Sequence, residues 1–213
     1  MIKAVIFDLD GVISDTDRTR FDLLKILLER KGLLLKEEDY EKSIGKRTET
    51  FLKELFSREL SDQEIKEIYS ARKEEYHKNP ANYIISQPSS FECCKKLYEA
   101  GFTLAIASAS EERDIRSVLN ELKLLPFFKI IVGSDKIKHA KPNPETYLKC
   151  VENLKMDKKE CVAIEDSPIG VESAKGAGVM CIAVTYTHEK NKLEEADKII
   201  TSLAELTPNF INE

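Results

Sequence analysis

The feature that most constrains the fold of this 213-residue chain is a series of short apolar runs without polar alternation. The runs cover residues 2–7, 102–107, 128–132, 161–164 and 179–184. A strand that is apolar throughout is buried on both faces, and helical connections between such strands are typical of a parallel sheet. Because helical patterns separate the later runs, the sequence predicts an α/β fold in which helices cover both faces of the sheet.

A long segment interrupts this alternation, because residues 15–86 carry helical patterns and no strand pattern. Apolar residues at helical spacing between Phe21 and Leu28 predict a first helix that ends at Gly32. The Ser-Asp-Gln-Glu sequence at 61–64 is a capping box that should open another helix. We therefore predict an α/β domain of residues 1–14 and 87–213, a helical domain of residues 15–86, and hinges near 14–17 and 83–88.

The first apolar run ends in two aspartates, Asp8 and Asp10, followed by Gly11. Residues i and i+2 of an extended segment project to the same side, so both carboxyl groups can meet one substrate. Aspartate is a suitable nucleophile for phosphorus because an aspartyl phosphate can be discharged in a second step, and a neighbouring acid can protonate the leaving oxygen. Taken alone, the two aspartates fit a turn or a helix cap equally well.

The second run within the α/β region is followed by Ser108, Ala109 and Ser110, which precede a helix expected over residues 111–121. Hydroxyl groups and free backbone amides at a helix start can bind phosphate oxygens. The alternative is that Ser110 only caps the helix, and the two roles are compatible.

Lys141 precedes a Pro-Asn-Pro sequence in which Asn143 is expected at the N-cap and Pro144 at the first helical position. A lysine held on the approach to a helix can serve as a point charge for a phosphate or a carboxylate. The alternative, which holds for most lysines, is a solvated surface position.

The last motif follows the run at 161–164, where Glu165 and Asp166 precede a Ser-Pro helix start at Ser167. Mg²⁺ prefers oxygen ligands and takes one or two protein carboxylates together with substrate phosphate and water. The alternative is that Asp166 or Ser167 only caps the helix.

With these four motifs in order, the chain closely resembles the haloacid dehalogenase superfamily, in the branch that holds phosphoglycolate phosphatase-like enzymes and beta-phosphoglucomutase. The resemblance covers nearly the whole chain. It rests on the Asp-x-Asp-Gly-Val-x-x-Asp-Thr opening, the Ser-Ala-Ser and Lys-Pro-x-Pro segments, and the sequence from Glu165 to Gly178. It implies a Rossmann-like parallel sheet core flanked by helices, with an inserted all-helical cap domain that closes over the site.

The resemblance also implies roles for the matching residues. Asp8 is expected to be the nucleophile and a metal ligand. Asp10 is expected to be the general acid/base, and its backbone carbonyl also touches the metal. Ser108 is expected to bind the transferring phosphoryl group, and Lys141 to neutralise both that group and Asp8.

A Mg²⁺ site is implied as well, completed by Asp166, with Glu165 as a direct or water-mediated contributor. The charge balance agrees, because an anionic carboxylate must approach an anionic phosphate and the site needs cationic charge to screen the repulsion. Mg²⁺ and Lys141 would supply that charge.

Substrate choice is expected in the cap, where Gly45, Lys46 and Arg47 form a glycine turn with two cations. In the family the corresponding loop contacts the distal part of the substrate, although a solvated helix start is an equal alternative here. Arg20, on the first cap helix, is a second candidate. We also expect the Ser-Ala-Ser segment to contact the substrate.

Three departures bear on the reaction. Arg20 stands where beta-phosphoglucomutases carry histidine, Leu24 where an aromatic residue is expected, and Pro88-Ser89 where a Pro-Gly linker is common in this branch. We therefore predict a Mg²⁺-dependent phosphatase of small phosphorylated metabolites, of the sugar phosphate or phosphoglycolate class, acting through an aspartyl phosphate. The alternatives are a sugar-phosphate mutase of the beta-phosphoglucomutase type and a non-catalytic regulatory or binding protein. A dehalogenase or phosphonatase is disfavoured because Asp10 is present.

Composition also bears on the binding partners and the cellular location of such an enzyme. A net charge of −5 without a basic stretch argues against nucleic-acid binding. No apolar segment reaches membrane-spanning length, so we expect a cytoplasmic protein that binds no membrane, with a small phosphorylated metabolite as partner and a monomer as the default state. The five cysteines form no Cys-x-x-Cys pair and are expected to be reduced and near the core.

Overall fold

The computed structural model describes residues 1–44, 48–78 and 82–213, apart from the side chain of His77. The strands are β1 (Ala4–Phe7), β2 (Thr103–Ala107), β3 (Phe128–Val132), β4 (Cys161–Glu165), β5 (Met180–Val184) and β6 (Lys198–Ile200). The α-helices are α1 (Thr16–Glu29), α2 (Tyr40–Ser43), α3 (Thr48–Phe56), α4 (Asp62–Lys78), α5 (Ser90–Glu99), α6 (Glu112–Glu121), α7 (Glu145–Leu154), α8 (Pro168–Gly176) and α9 (Pro208–Asn212).

Contacts divide the chain into two compact units. The first, here called the α/β unit, consists of Met1–Ser14 and Ser86–Glu213, and the second, the helical unit, consists of Asp15–Ile85. All six strands belong to the α/β unit, whereas α1 to α4 form the helical unit.

The sheet is parallel throughout, with the strand order β3-β2-β1-β4-β5-β6. β1 is central, because its Val5 pairs with Leu104 on one side and with Val162 on the other. The order runs outward from β1 in both directions, which creates a topological switch point between β1 and β4. The prediction of a Rossmann-like parallel sheet flanked by helices is confirmed.

Both faces of the sheet are covered, as unbroken apolar runs predict. Every residue of β1 and β4 is buried. One face carries small side chains such as Ala105 and Ala163, and α7 and α8 pack against it through Tyr147 and Val171. Because methyl side chains occupy little space, the helices approach the sheet closely. This packing brings the chain before α7, including Lys141, to the carboxyl ends of the strands.

Two local predictions differ from the structure. β6 was not predicted, because it has only three residues, begins with Lys198, and owes its place to pairing with β5. The predicted cap of α7 is wrong by one residue: Pro144 occupies the N-cap, while Asn143 Oδ1 accepts from the Glu145 backbone N–H at 3.0 Å. Helix ends are the least determined part of a helix pattern.

The helical unit has its own apolar core. Phe21, Leu24 and Leu28 of α1 are buried in one cluster with side chains of α3 and α4. The predicted capping box is confirmed, since the Ser61 backbone N–H donates to Glu64 Oε2 at 2.9 Å and the Glu64 N–H donates to Ser61 Oγ at 3.3 Å.

Two further properties of the chain can be read from the described residues. All five cysteines are free and buried, as predicted, and burial raises the pKa of the Cys93 thiol to about 12. Within residues 1–44, 48–78 and 82–213, no helix combines the length and the apolar character that crossing a bilayer demands.

Candidate active site

The carboxyl ends of the central strands bring the core motifs together. Because the strands are parallel, residues that follow them meet at one edge of the sheet. Asp8 follows β1, Ser108 follows β2, and Glu165 is the last residue of β4. All three are buried, with Asp8 only 6% exposed. The motifs that are far apart in the sequence therefore surround one point.

Lys141 links two of these carboxylates. Its Nζ donates to Asp8 Oδ1 at 2.5 Å, to Glu165 Oε1 at 2.6 Å and to the backbone oxygen of Ala107 at 3.0 Å. Burial alone would lower the pKa of Lys141, but the two carboxylates outweigh it and raise the pKa above its usual value. Lys141 is therefore a buried ammonium group that is paired and hydrogen-bonded, which is the condition under which a buried charge is tolerated.

Glu165 is held on both carboxylate oxygens. Tyr147 on α7, which is fully buried, donates its hydroxyl to Glu165 Oε1 at 2.6 Å, and Ser167 Oγ donates to Oε2 at 3.3 Å. Burial and the neighbouring Glu165 raise the pKa of Tyr147, so the phenol keeps the proton that it donates. Tyr147 and Ser167 therefore fix the position of Glu165, and Glu165 in turn fixes the position of Lys141.

Two glycines leave room for the acidic side chains. Gly11 has φ of +87°, and a Cβ there would lie 2.0 Å from Asp166 Oδ2. At Gly170, in the first turn of α8, a Cβ would lie 1.9 Å from Glu165 Oε2. Since real Cβ atoms do not approach other atoms so closely, both positions require glycine.

Asp166 is buried next to a turn that follows β5. Thr187 Oγ1 donates to the Asp166 carboxylate, and His188 Nδ1 lies 3.0 Å from the Asp166 backbone oxygen. Burial, with a contribution from Glu165, raises the pKa of Asp166 to about 8, although the Thr187 hydrogen bond opposes the shift. The turn after β5 therefore orients Asp166 towards the rest of the site.

Asp8, Glu165 and Asp166 form a cluster that could hold a metal ion, because one oxygen of each lies within 4.8 Å of the others. Burial raises the pKa of Asp8 well above its usual value, and neighbouring carboxyl groups add to the effect while Lys141 opposes it. Because Asp10 is among those neighbours, the site holds more carboxyl groups than the single ammonium group of Lys141 can neutralise. A hard divalent cation such as Mg²⁺, which prefers carboxylate oxygens, fits this donor set and its excess of negative charge.

Asp10 and the Ser-Ala-Ser segment also meet. Ser108 Oγ and Ser110 Oγ each donate to Asp10 Oδ2 at 3.2 Å, and the Ser110 backbone N–H donates to Ser108 Oγ at 3.0 Å. Ala109 is exposed between them. The N-cap of α6 is Glu111, so the Ser110 hydroxyl is directed at Asp10 rather than at the helix.

The remaining predicted substrate-binding residues belong to the helical unit. Arg20 on α1 pairs with Asp17 at 2.5 Å and donates to the Ser43 backbone oxygen at 2.8 Å. Gly45, Lys46 and Arg47 lie outside the described residues.

Tyr147, Thr187 and His188 were not among the predicted site residues. A single aromatic residue within an amphipathic helix normally indicates core packing, so Tyr147 gave no signal of its own. Thr187 and His188 could have been found, because they follow β5 at the edge where ligands of such sheets bind. The contact of His188 with the Asp166 backbone oxygen is structural.

Comparisons with known proteins agree with this geometry. A phosphatase of phosphorylated carbohydrates from Thermotoga maritima is 30% identical over 179 residues, which cover 84% of this chain and 82% of the relative. A phosphoglycolate phosphatase from Aquifex aeolicus is 26% identical over 215 residues, covering all of both chains. A crystal structure of a candidate beta-phosphoglucomutase from Thermotoga maritima matches with a TM-score of 0.80 at 26% identity and covers 99% of both chains.

These relatives are named for phosphoryl chemistry, which confirms the predicted class of enzyme, a phosphoric monoester hydrolase with phosphomutases among its kin. The sequence profile of the haloacid dehalogenase-like hydrolases matches residues 5–184, a span that includes every core motif described above. The chain therefore belongs to the haloacid dehalogenase-like hydrolase family.

Proposed function

We propose that this protein is a Mg²⁺-dependent phosphatase that hydrolyses small phosphorylated metabolites through a phosphoryl group carried on Asp8. The observation that carries the proposal is the buried network in which Lys141 bridges Asp8 and Glu165 beside Asp166. An ion pair that only stabilised the fold would need one carboxylate partner for Lys141, whereas this lysine has two. A nucleophile that must approach a phosphate dianion needs both a fixed cation and a metal site, and this network offers groups for both.

In the first step the Asp8 carboxylate attacks phosphorus, the bond between phosphorus and the leaving oxygen breaks, and that oxygen takes the proton of Asp10. In the second step Asp10 takes a proton from water, the water oxygen attacks phosphorus, and phosphate leaves as the Asp8 carboxylate is restored. Aspartate carries out covalent catalysis of this kind in other enzymes, and a positioned acid contributes about 10²–10⁴-fold to each proton transfer.

The residues that would hold Mg²⁺ are Asp8 and Asp166 through carboxylate oxygens and Asp10 through its backbone carbonyl, with Glu165 contributing directly or through water. When bound, the ion neutralises charge on the phosphoryl oxygens. Lys141 screens the repulsion between Asp8 and the phosphoryl group, and Ser108 orients that group by hydrogen bonding. The supporting observation is that Glu165 already accepts from Lys141 and Tyr147, which leaves Asp166 as the stronger candidate ligand.

We propose that the helical unit acts as a cap that selects the substrate. Arg20 is not needed for the chemistry itself, but a cation on α1 suits an anionic or hydroxyl-rich substrate. Arg72 on α4 adds to this argument, because no described residue accepts a hydrogen bond from its buried Nε. Burial, with repulsion from Arg20, lowers the pKa of Arg72. Gly45, Lys46 and Arg47 remain further candidates.

A phosphomutase of the beta-phosphoglucomutase type is the second candidate, favoured by the similarity to the Thermotoga maritima structure. It would use the same core residues and pass the phosphoryl group from Asp8 to a sugar hydroxyl instead of water. The arginine at position 20, where we expected histidine for a mutase, favours the phosphatase.

The test is phosphate release from a panel of sugar phosphates, phosphoglycolate and nucleotides, with Mg²⁺ and with a chelator. We expect release from at least one small phosphate ester and its loss on chelation. A sugar phosphate that is isomerised without phosphate release, and only with a bisphosphate activator, would favour the mutase. A folded protein that releases no phosphate and isomerises no sugar phosphate would contradict both proposals.

A further inference from the structure

We infer that Ser110 is a positioning residue for Asp10: its hydroxyl holds the carboxyl group of the general acid/base, rather than contacting the substrate as we first expected. The inference deepens the proposed function and rests on it. Its basis is that Ser110 Oγ lies 3.2 Å from Asp10 Oδ2, although the two residues are 100 positions apart in the sequence.

Asp10 Oδ2 accepts from two serines that differ in their surroundings. Ser108 is fully buried, whereas Ser110 is half-buried. A serine hydroxyl has one hydrogen and can donate to one acceptor at a time. If Ser108 donates to the transferring phosphoryl group, as proposed, it must release Asp10 when the substrate binds. Ser110 is then the serine that continues to orient the Asp10 carboxyl group.

The position of Ser110 is set by the loop after β3. The Ser134 backbone N–H donates to the Ser110 backbone oxygen at 2.9 Å, and Asp135 Oδ1 accepts from the Glu112 N–H at 2.8 Å. A Cβ at Gly133 would lie 2.5 Å from the Glu112 nitrogen, so the two loops are in close contact. Because Asp135 caps α6, the Ser110 hydroxyl is not needed there and can serve Asp10.

This assignment predicts a dependence on the leaving group. In the first step the proton of Asp10 moves to the departing oxygen while the Asp8–phosphorus bond forms and the old ester bond breaks. An alkoxide is a poor leaving group and needs that proton, whereas p-nitrophenolate departs readily without it. A residue that orients Asp10 therefore matters more for alkyl phosphates than for p-nitrophenyl phosphate. A residue that binds the phosphoryl group affects both alike.

The experiment compares kcat/KM of the parent protein and Ser110→Ala on glycerol 2-phosphate and p-nitrophenyl phosphate with saturating Mg²⁺. The ratio kcat/KM is used because it reports the step in which the leaving group departs. We expect a loss of about tenfold on glycerol 2-phosphate, near the upper end of what one hydrogen bond contributes, and less than about twofold on p-nitrophenyl phosphate.

Two variants control the result. Ser110→Thr keeps a hydroxyl and should restore the parent ratio between the two substrates. Ser202→Ala removes a serine hydroxyl of the same unit that accepts from the Ala204 backbone N–H, and it should leave the ratio unchanged.

Equal losses of kcat/KM on both substrates would overturn the inference and return Ser110 to the substrate-binding residues. A parent protein that releases phosphate from no ester, the sugar phosphates, phosphoglycolate and nucleotides of the panel included, would instead overturn the proposed function, and this inference with it.

Discussion

The α/β unit and the helical unit differ in where their charged side chains lie. In the α/β unit the Lys141 and Glu165 side chains are 7% and 1% exposed, and each is hydrogen-bonded. In the helical unit the ion pairs range from Arg20 with Asp17, whose side chains are 18% and 13% exposed, to Lys53 with Asp62, at 54% and 76%, while the buried cluster is apolar.

Exposed and buried ion pairs differ in what they contribute to the stability of the fold. Exposed ion pairs contribute about 0.2–1 kcal/mol each and can be lost with little effect. Buried charges cost several kcal/mol in desolvation, so a protein keeps them mainly where chemistry needs them. The comparison suggests that substitutions in the buried network will impair turnover of every substrate. Substitutions in the helical unit should discriminate between substrates.

The largest expected effect is that of Asp8→Asn. The substitution is nearly isosteric but removes the nucleophile, so a folded variant should lose essentially all turnover on every substrate. Phosphate release and thermal unfolding, measured on the same preparation, check this. A folded variant with near-parent turnover would show that the buried network is structural and would remove the contrast between the units.

Asp10→Asn should have the next largest effect, a loss of about 10²–10⁴-fold, as is typical when a general acid/base is removed. Both formation and hydrolysis of the aspartyl phosphate should slow, which rapid-mixing kinetics can resolve. If this variant lost more activity than Asp8→Asn, the roles of the two aspartates would have to be exchanged.

The metal site gives a third prediction. Asp166→Ala should weaken Mg²⁺ activation by about 100-fold, and Glu165→Ala by about tenfold or less, since Glu165 is already engaged by Lys141 and Tyr147. Loss of Glu165 should appear mainly in kcat, because it leaves Lys141 without one of its partners. Mg²⁺ titrations of activity and of Tm measure both effects. Parent-like metal dependence in both variants would place the metal elsewhere.

The smallest effect is expected in the helical unit. Arg20→Ala should raise KM several-fold for the best substrate of the panel while leaving p-nitrophenyl phosphate nearly unchanged, because only an extended substrate would reach this arginine. Arg18→Ala, on the same helix, removes an arginine that pairs with Asp22 and Glu37 and is the matched control. Neutralising Lys46 and Arg47 together should act like Arg20→Ala.

Equal effects of Arg20→Ala on both substrates would assign this arginine to folding of the helical unit or to general electrostatics. The specificity residues would then have to be sought elsewhere on α1 to α4.

Local patterns predicted much of the α/β unit, and the reason is that its strands are buried on both faces. An unbroken apolar run such as the one ending at Phe7 has few alternative structures, and parallel strands place their following residues at one edge. Asp8, Ser108 and Glu165 could therefore be predicted as neighbours before any contact was known. The three-residue β6 could not, because it depends on pairing with β5 more than on its own composition.

The sequence by itself determined strands β1 to β5, the order of the motifs and the acidic character of the site, because these follow from local hydrophobicity and from strand direction. Only the tertiary structure decided which atoms meet. The hydroxyl of Tyr147 on Glu165, that of Thr187 on Asp166 and that of Ser110 on Asp10 join residues 18, 21 and 100 positions apart. Such contacts depend on how α7, α8 and two loops pack on the sheet, and packing is a property of the whole core that no local pattern contains.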